Sequence, residues 1–535
     1  MPSRHRVVLL GFLLSGLLCF ELILGSCVQE DAFISFRYAR NLLDGHGLVF
    51  NPGQPVEGYT NFGWTVLLAG GMALGLDPVP LARCLGIVVS LGLVILVFRI
   101  AGRRDRERGQ TGGLLAAAVI AASPALAGEA VQGLETVFFA WLVTAGVWLG
   151  VLARQREWGG LAGSVRFHLA AAGVLALAAL VRPEGVGVFG LLVLAGMVWR
   201  VRHGQPLVTR GMLYGLVLFA CIYLPYYGWR FDYYGYPLPN TFYVKTGGGL
   251  HHVLRGCGYL GRFLLQNPVL ALLSGWLLVD GWRRRPERPV TAVAAPTTFL
   301  LAAVLVGYLL YVMIVGGDFK STFRFIIPVL PLGALLLDGA VSRRGWTGQF
   351  RGGGWVVLAL VVVNSLTSAP AVAHWSHDRA RDLQRRTACG RYLAENAAPG
   401  DVLAIHSAGI IPYYSGLPTI DMWGLNDLHI AHKQIPDMGQ KRPMGHEKTD
   451  PIHVFERRPT YFLDEFHYLL EDSIPNLREL VFGRRPEVHP YLTDYRVRMV
   501  PLLLDLGQGP RQYWFNYLEL AGEIPAVSAT AGSAR

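Results

Sequence analysis

EDAFISFRYARNLLDGHGLVFNPGQPVEGYTN, Glu30 to Asn61, follows directly on a long apolar run near the N-terminus. An acidic pair therefore stands where a membrane helix would leave the bilayer. Ala32, Phe36, Ala39 and Leu43 recur at helical spacing and predict a short amphipathic helix, which Gly45 and Gly47 can end. A Gly/Pro/Asn-rich loop with a second acid, Glu57, comes next. Carboxylates held at a membrane surface point to chemistry on a lipid-linked substrate rather than to simple anchoring.

Composition agrees with that setting. Of 535 residues, 52% are hydrophobic and 16% charged, with a mean hydropathy of +0.36, whereas a soluble protein carries about 25% charge. The apolar residues cluster in runs near the ~20 that cross a bilayer, so the fold class is a polytopic α-helical membrane protein. A net charge of +11 does not imply nucleic acid. Much of the Arg lies in short tracts between apolar runs, and no basic stripe interleaved with aromatics appears. The six cysteines are scattered without a CxxC, so neither a zinc site nor a disulfide framework is indicated. Pairs such as His251-His252, His374/His377 and His429/His432 lack a third ligand at metal spacing. There is no Walker loop, GxGxxG turn or GxSxG elbow.

Spans are expected near Val7–Gly25, Leu81–Ile100, Leu114–Gly128, Leu134–Ala153, Phe167–Val181, Gly185–Trp199 and Gly211–Trp229. Tyr259–Trp282, Thr298–Val315, Phe325–Ala340 and Trp355–Ser368 bring the expectation to about eleven. The first run could pass for a signal peptide, but it is long for one and no A-x-A-like site follows, so a retained helix is expected. Glu21 near its outer end is either a functional intramembrane acid or reaches the interface.

The connections alternate in charge. Arg99–Arg108, Arg154–Arg166, Arg200–Arg210, Arg283–Arg288 and Arg343–Arg351 form one set. Ser123–Gly133, Val181–Glu184, Arg230–Gly256 and Gly316–Thr322 form the Arg-poor set. The Lys/Arg bias places the N-terminus in the cytoplasm and the Arg-poor loops outside. Phe62–Leu76 is apolar but short, and a crossing there would break the alternation. It is expected to lie in the outer interface or to be re-entrant, within a first outer loop of residues 28–80, and Trp64 suits an interfacial position.

Three domains of sequence follow: a transmembrane part over 1–369, an outer mixed α/β domain over 370–525, and a disordered tail over 526–535. In the outer domain a helix is expected over Arg379–Glu395, and strands near Asp401–His406, Thr419–Met422, Thr460–Leu463, Arg496–Leu504 and Tyr513–Leu518.

Several outer-side polar residues are candidates for chemistry. Asp31 begins the amphipathic helix and Glu30 just precedes it, where free N–H groups favour an ionised carboxylate. N-capping without catalysis explains the same placement. Glu57, Tyr59 and Asn61 offer an acid, a hydroxyl and an amide in one loop, which is also ordinary turn chemistry. Glu135, Arg182, Glu184, Asn240, Lys245, Asp318, Lys320 and Arg324 sit next to apolar runs, where charges are costly and usually paired. Interhelix pairing, Arg182 with Glu135 for example, accounts for any one of them. Together they describe a polar outer-leaflet cavity.

The chain resembles the GT-C superfamily of polytopic glycosyltransferases, most closely its bacterial terminal arabinofuranosyltransferase branch. The resemblance is carried by EDAFISFRYARNL (Glu30–Leu42), VEGYTNFGW (Val56–Trp64), GLET (Gly133–Thr136) and VRPEG (Val181–Gly185). It continues in YYGYPLPNTFYVKTG (Tyr233–Gly247), GGDFKSTFRFIIPVLPL (Gly316–Leu332) and YYSGLPTIDMWGLND (Tyr413–Asp427). It implies an inverting transfer of a sugar, a pentofuranose such as arabinofuranose for this branch, from a polyprenyl-phosphate carrier. The acceptor would be a cell-envelope glycan, lipid or protein on the outer side of a bacterial cytoplasmic membrane.

Asp31 matches the second position of an acidic pair that is often Asp-Asp in the family, and is the expected base; Glu30 replaces the first Asp. Arg182, Lys245, Lys320, Arg324, Arg37 and Arg40 are on the side expected to meet the phosphate. Asp421 and Trp423 are acceptor candidates at the membrane-facing edge of the outer domain. A divalent cation (Mg, Mn or Ca) is compatible with this set but not demanded by it, with Glu30, Asp31 and Asp318 as ligands; Asp318 could bind sugar hydroxyls instead. A flippase for a lipid-linked glycan would also need many spans, but the paired halves expected of one are not visible. A catalytically silent assembly partner with the same fold is the remaining alternative, against which the intact acids argue.

Overall fold

The computed structural model describes residues 3–25, 27–106, 113–268, 270–272, 275, 295–343, 353–440, 445–483, 485–507 and 509–521. Seven described helices are long and apolar enough to cross a bilayer: Arg6–Leu24, Pro78–Arg103, Thr136–Trp158, Ser164–Val181, Glu184–Arg202, Arg210–Tyr234 and Pro296–Val315. Each coincides with an expected span. The expected span Leu114–Gly128 is instead two helices, Leu114–Ala121 and Pro124–Val131, bent by 57°. Pro124 cannot donate to the preceding turn, and Ser123 starts a new helix by accepting from the Leu126 N–H at 3.3 Å.

Three further expected spans differ in form. In place of Phe325–Ala340 there is a short 3-10 turn, Ile327–Val329, and then a helix over Leu330–Arg343. Its 14 residues rise only about 21 Å, short of a ~30 Å hydrocarbon core. In place of Tyr259–Trp282, the described helix is Leu250–Gln266, which presents His252, Gly256 and Tyr259 inward and Leu250, Leu254, Leu264 and Leu265 outward. Most of the segment after Ala271 lies outside the described residues, as do the Arg283–Arg288 tract, residues 107 and 108 of Arg99–Arg108, most of Arg343–Arg351 and the 526–535 tail. Trp355–Ser368 forms part of a single helix, Gly353–Asn396.

That 44-residue helix joins the two halves of the molecule. Val361 and Val372 belong to the core of the bundle, while Cys389 and Leu393 belong to the core of the sheet domain. The boundary expected at 369/370 therefore falls within a continuous helix, which passes through Pro370. The sheet has six strands: β1 (Leu403–Ile405), β2 (Thr419–Asp421), β3 (Tyr461–Leu463), β4 (Leu469–Leu470), β5 (Tyr495–Asp505) and β6 (Pro510–Leu520). β1 lies between β2 and β3, parallel to both; β6 then runs antiparallel to β3, β4 and β5. The three parallel strands are buried on every residue, which is why β1 (LAI) and β3 (YFL) read as short unbroken apolar runs; β2 (TID) buries a Thr and an Asp as well.

The chain opens with three helices: α1 (Ser3–Leu24), α2 (Glu30–Leu43) and α3 (Phe62–Ala73). At 12 residues α3 is about 18 Å long and cannot span. Two expectations here are corrected. Trp64 is not an interfacial anchor; it is 1% exposed and its Nε1 donates to the Gly133 carbonyl at 3.1 Å. Glu21 does not reach the interface; it is fully buried and accepts a 2.5 Å bond from Ser90 Oγ, so its burial is offset by a partner on the Pro78–Arg106 helix.

Candidate active site

A cavity of about 530 Å³ lies between the helical bundle and the sheet domain. The loops leaving β1 (His406–Ala408), β2 (Met422, Trp423) and β3 (Asp464–Phe466) all open into it. This is the carboxyl edge of the parallel strands, where α/β sheets hold their ligands because the strand ends splay there. The opposite wall is made by the start of α2, Lys245 and the loop after Gly316.

Asp31 is at the centre of that wall. Lys320 Nζ stands 2.7 Å from its Oδ2 and Arg324 Nη1 3.2 Å from the same oxygen. Both cations take Oδ2, which leaves Oδ1 as the oxygen to meet a hydroxyl. The Asp31 side chain is 42% exposed, whereas Lys320 is 6% and Arg324 12% exposed; the carboxylate faces the cavity and the cations form its floor. Burial would raise the Asp31 carboxyl, but Lys320 and Arg324 outweigh it and hold the group well below the usual carboxylate range. Arg324 Nε pairs with Asp318 on its other side, and Asp318 also accepts from the Phe319 N–H at 2.7 Å. Lys245 lines the cavity beside this group. Burial, with Arg324 next, pushes its ammonium down to about 8.

The loop that carries Lys320 and Arg324 is held by groups on which the sequence reading placed no role. Phe323 has φ of 51°, an uncommon conformation for a bulky residue. Thr322 Oγ1 donates to the fully buried Glu129 at 2.5 Å, and the Phe325 N–H donates to Tyr259 Oη at 3.2 Å. Pinned on either side of Phe323, the chain turns both cations back towards Asp31.

Glu30 points the other way. Its Oε1 accepts from the Gly409 and Ile410 N–H groups at 2.7 and 2.9 Å, and its Oε2 is 3.6 Å from Arg386. Burial pushes its carboxyl up to about 7 against the pull of Arg386.

Most other candidates do not line the cavity and are engaged within the protein. Arg37 donates to the carbonyls of Phe50, Pro412 and Leu417 and to Asn51 Oδ1. Arg40 donates to the Tyr413 carbonyl at 2.8 Å and lies 3.6 Å over that ring. Neither lines the cavity, so the expectation that they meet the phosphate is corrected: both are turned to the segment after β1. Glu57 is gripped by Arg230 through three bonds of 2.5 to 3.0 Å, and Tyr59 packs on Tyr38 with centroids 4.5 Å apart. Arg182 bridges Glu135 (2.6 Å) and Glu184 (2.9 Å), the interhelix pairing anticipated above, and Asn61 caps Glu135 at 2.7 Å. Asn240 donates to the Gly424 and Leu425 carbonyls. Asp421 is 1% exposed and accepts from the backbone of Trp423, Gly424 and Asn426. It shapes the turn that presents Trp423 to the cavity.

The acids Glu30, Asp31 and Asp318 do not converge on one point. Among the described residues no three His, Cys, Asp or Glu side chains come together. Arg324 occupies the bridging position between Asp31 and Asp318, and Glu30 is turned to backbone amides.

The cavity also recruits residues that sequence reasoning passes over: Arg379, Arg386, His406, His446 and Glu465. A signal existed for two of them. Arg379 and Arg386 are seven apart in a segment expected to be helical, which puts them on one face. His406 and Glu465 follow strands and are recognisable only once the strand direction is known.

Residues 374–515 match a family described as a domain of unknown function (DUF8728). The chain is 31% identical over 372 residues to a terminal β-(1→2)-arabinofuranosyltransferase of Mycobacterium tuberculosis, covering 62% of this chain and 56% of that protein. It is 28% identical over 360 residues to the enzyme of the same name from Corynebacterium glutamicum, covering 60% and 49%. The chain thus spans about half the length of these curated relatives. Crystal structures of ArnT from Cupriavidus metallidurans, apo and bound to undecaprenyl phosphate, superpose with TM-scores of 0.59 and 0.58 over 98% of this chain and all of theirs, at 15% and 13% identity. The protein therefore shares the fold of the ArnT structures, a multi-span helical bundle with a C-terminal sheet domain. In sequence it is arabinofuranosyltransferase-like.

Proposed function

We propose that the protein is a glycosyltransferase that takes a sugar, arabinofuranose in the first instance, from a polyprenyl-phosphate carrier. It passes that sugar to a hydroxyl of a cell-envelope glycan on the outer side of the cytoplasmic membrane. The observation that carries this reading is an ionised, cavity-facing carboxylate set among Lys245, Lys320 and Arg324. The sugar and donor class follow the names of the relatives and the undecaprenyl phosphate bound by the ArnT structure.

The chemistry balances as one displacement. The acceptor oxygen bonds to the anomeric carbon as its proton passes to Asp31 Oδ1. The bond from that carbon to the phosphate oxygen breaks, and its electron pair leaves with the polyprenyl phosphate. Inversion at the anomeric carbon is the stereochemical signature of this step.

Three cations serve two acids in this cluster, so positive charge is left for the phosphate. An incoming phosphate competes with Asp31 for Lys320 and Arg324. Drawing them away raises the basicity of the carboxylate when the donor is in place. Trp423 and His446, edge to face at 4.0 Å, line the opposite side, where the acceptor would rest.

The test is to reconstitute the protein in lipid with a panel of radiolabelled polyprenyl-phosphate sugars and an envelope extract. Label should leave one donor for the glycan fraction. Folded protein that binds the lipid yet transfers from no donor would overturn the reading.

A further inference from the structure

Glu30 and Asp31 are neighbours in sequence and serve different bodies in space. We infer that Glu30 is a positioning residue: it clamps the sheet domain onto α2 and so fixes where Asp31 stands. The kinetic part of this inference rests on the glycosyltransferase reading; the structural part does not.

The clamp is visible along α2. Glu30, Arg37 and Arg40 are spaced by seven and three, so they share one helical face. All three hold the segment after β1. Glu30 takes the Gly409 and Ile410 N–H groups. Arg37 takes the Pro412 and Leu417 carbonyls, and Arg40 the Tyr413 carbonyl. Phe33 packs between them on Tyr413 and Tyr414, with centroids 5.5 and 5.8 Å away. Asp31 is one residue on, about 100° around the helix, and meets Lys320 and Arg324 instead.

The approach at Gly409 is close enough to require glycine. A Cβ there would lie 2.1 Å from the Glu30 carbonyl oxygen and 2.9 Å from its Oε1. Behind the carboxylate, Arg386 stands 3.6 Å from Oε2 and donates to Glu465 at 2.8 Å. Glu465 in turn accepts from Ser407 Oγ at 2.8 Å. One side chain thus ties α2 to a backbone turn and to the long helix that joins the two halves.

A base must present a free oxygen to a hydroxyl, but Glu30 spends Oε1 on two amides and keeps Oε2 beside a guanidinium. Glutamine can reproduce the two amide bonds and cannot act as a base. This separates the roles. Glu30→Ala, Glu30→Gln and Gly409→Ala proteins are compared in lipid by hydrogen–deuterium exchange over residues 405–417, without donor, and by transfer kinetics.

The clamp predicts faster exchange at Gly409 and Ile410 in Glu30→Ala and kcat down by about tenfold or more, the scale of a misplaced catalytic group. Glu30→Gln should recover both. Gly409→Ala, which pushes on the same contact from the other side, should resemble Glu30→Ala. Two results would overturn the clamp: Glu30→Gln as inactive as Glu30→Ala while the 409–410 amides stay protected, or Glu30→Ala with wild-type exchange. If the wild type transfers no sugar, the exchange pattern still decides the clamp, and only the glycosyltransferase reading falls.

Discussion

Two polar clusters lie among the helices of the bundle, and they are built oppositely. Around Asp31, three cations face two acids, and the central carboxylate stays 42% exposed. Around Glu57 and Glu135 the balance is reversed or even. Arg230 answers Glu57 alone, and Arg182 answers both Glu135 and Glu184, with every one of these side chains at most 10% exposed. The second cluster has no charge left to offer and no opening through which to offer it. It braces helices. The first has surplus positive charge and an open carboxylate, the condition for holding a phosphate and accepting a proton. Surplus and access distinguish a site from a scaffold; the presence of ionisable residues near a membrane does not.

The sharpest way to break this contrast is Asp31→Asn. Transfer should fall by about 10²–10⁴-fold, the range for losing a general base, with donor binding retained in a lipid-binding assay. A mutant near wild-type rate at saturating donor would remove Asp31 from the chemistry. In the scaffold cluster the loss should be of folding instead. Arg230→Ala leaves Glu57 buried and alone, which costs about 3–5 kcal/mol. Detergent-solubilised protein should melt lower or fail to accumulate, while Lys245→Ala should melt like the wild type and only weaken donor binding.

A third comparison uses pH. Lys245 is held down to about 8 by burial first and Arg324 second, so it is charged below that pH and loses its proton as pH rises through it. The kcat/KM for donor should therefore fall above about pH 8 in the free enzyme, and Lys245→Arg should remove that limb, because guanidinium stays protonated. A pH–rate profile flat to pH 9.5 would exclude Lys245 from phosphate binding. The smallest expected effect is at the opposite wall. Trp423→Ala should raise the acceptor KM by roughly 2–10-fold, the worth of one aromatic contact, and leave donor KM unchanged. Anomeric configuration of the product sharpens the mechanism independently: retention would rule out a single displacement.

Much of the architecture was legible because it rests on short-range physics. Apolar runs near bilayer length gave the helices, and unbroken apolar triplets gave β1 and β3 within a residue or two. Errors arose where a local feature competed with packing. Ser123-Pro124 broke a span that hydropathy alone drew straight, and Pro370 did not break a helix that two cores hold at both ends. The strand Leu469–Leu470 is two residues long and leaves no periodicity to detect.

The chain by itself determined that this is a multi-span helical bundle with a C-terminal α/β domain, and that acids and cations gather at the ends of its apolar runs. Composition and periodicity settle those matters, because burial of apolar surface depends on residue type and spacing. Only the tertiary structure decided which charges meet. Glu30 and Asp31 are adjacent carboxylates, and no local pattern shows where each side chain goes; rotation about α2 sends one to the Gly409–Ile410 amides and the other to Lys320 and Arg324, residues almost four hundred and three hundred positions away. Pairing across such distances is set by how the bundle and the sheet dock, and no local pattern encodes it.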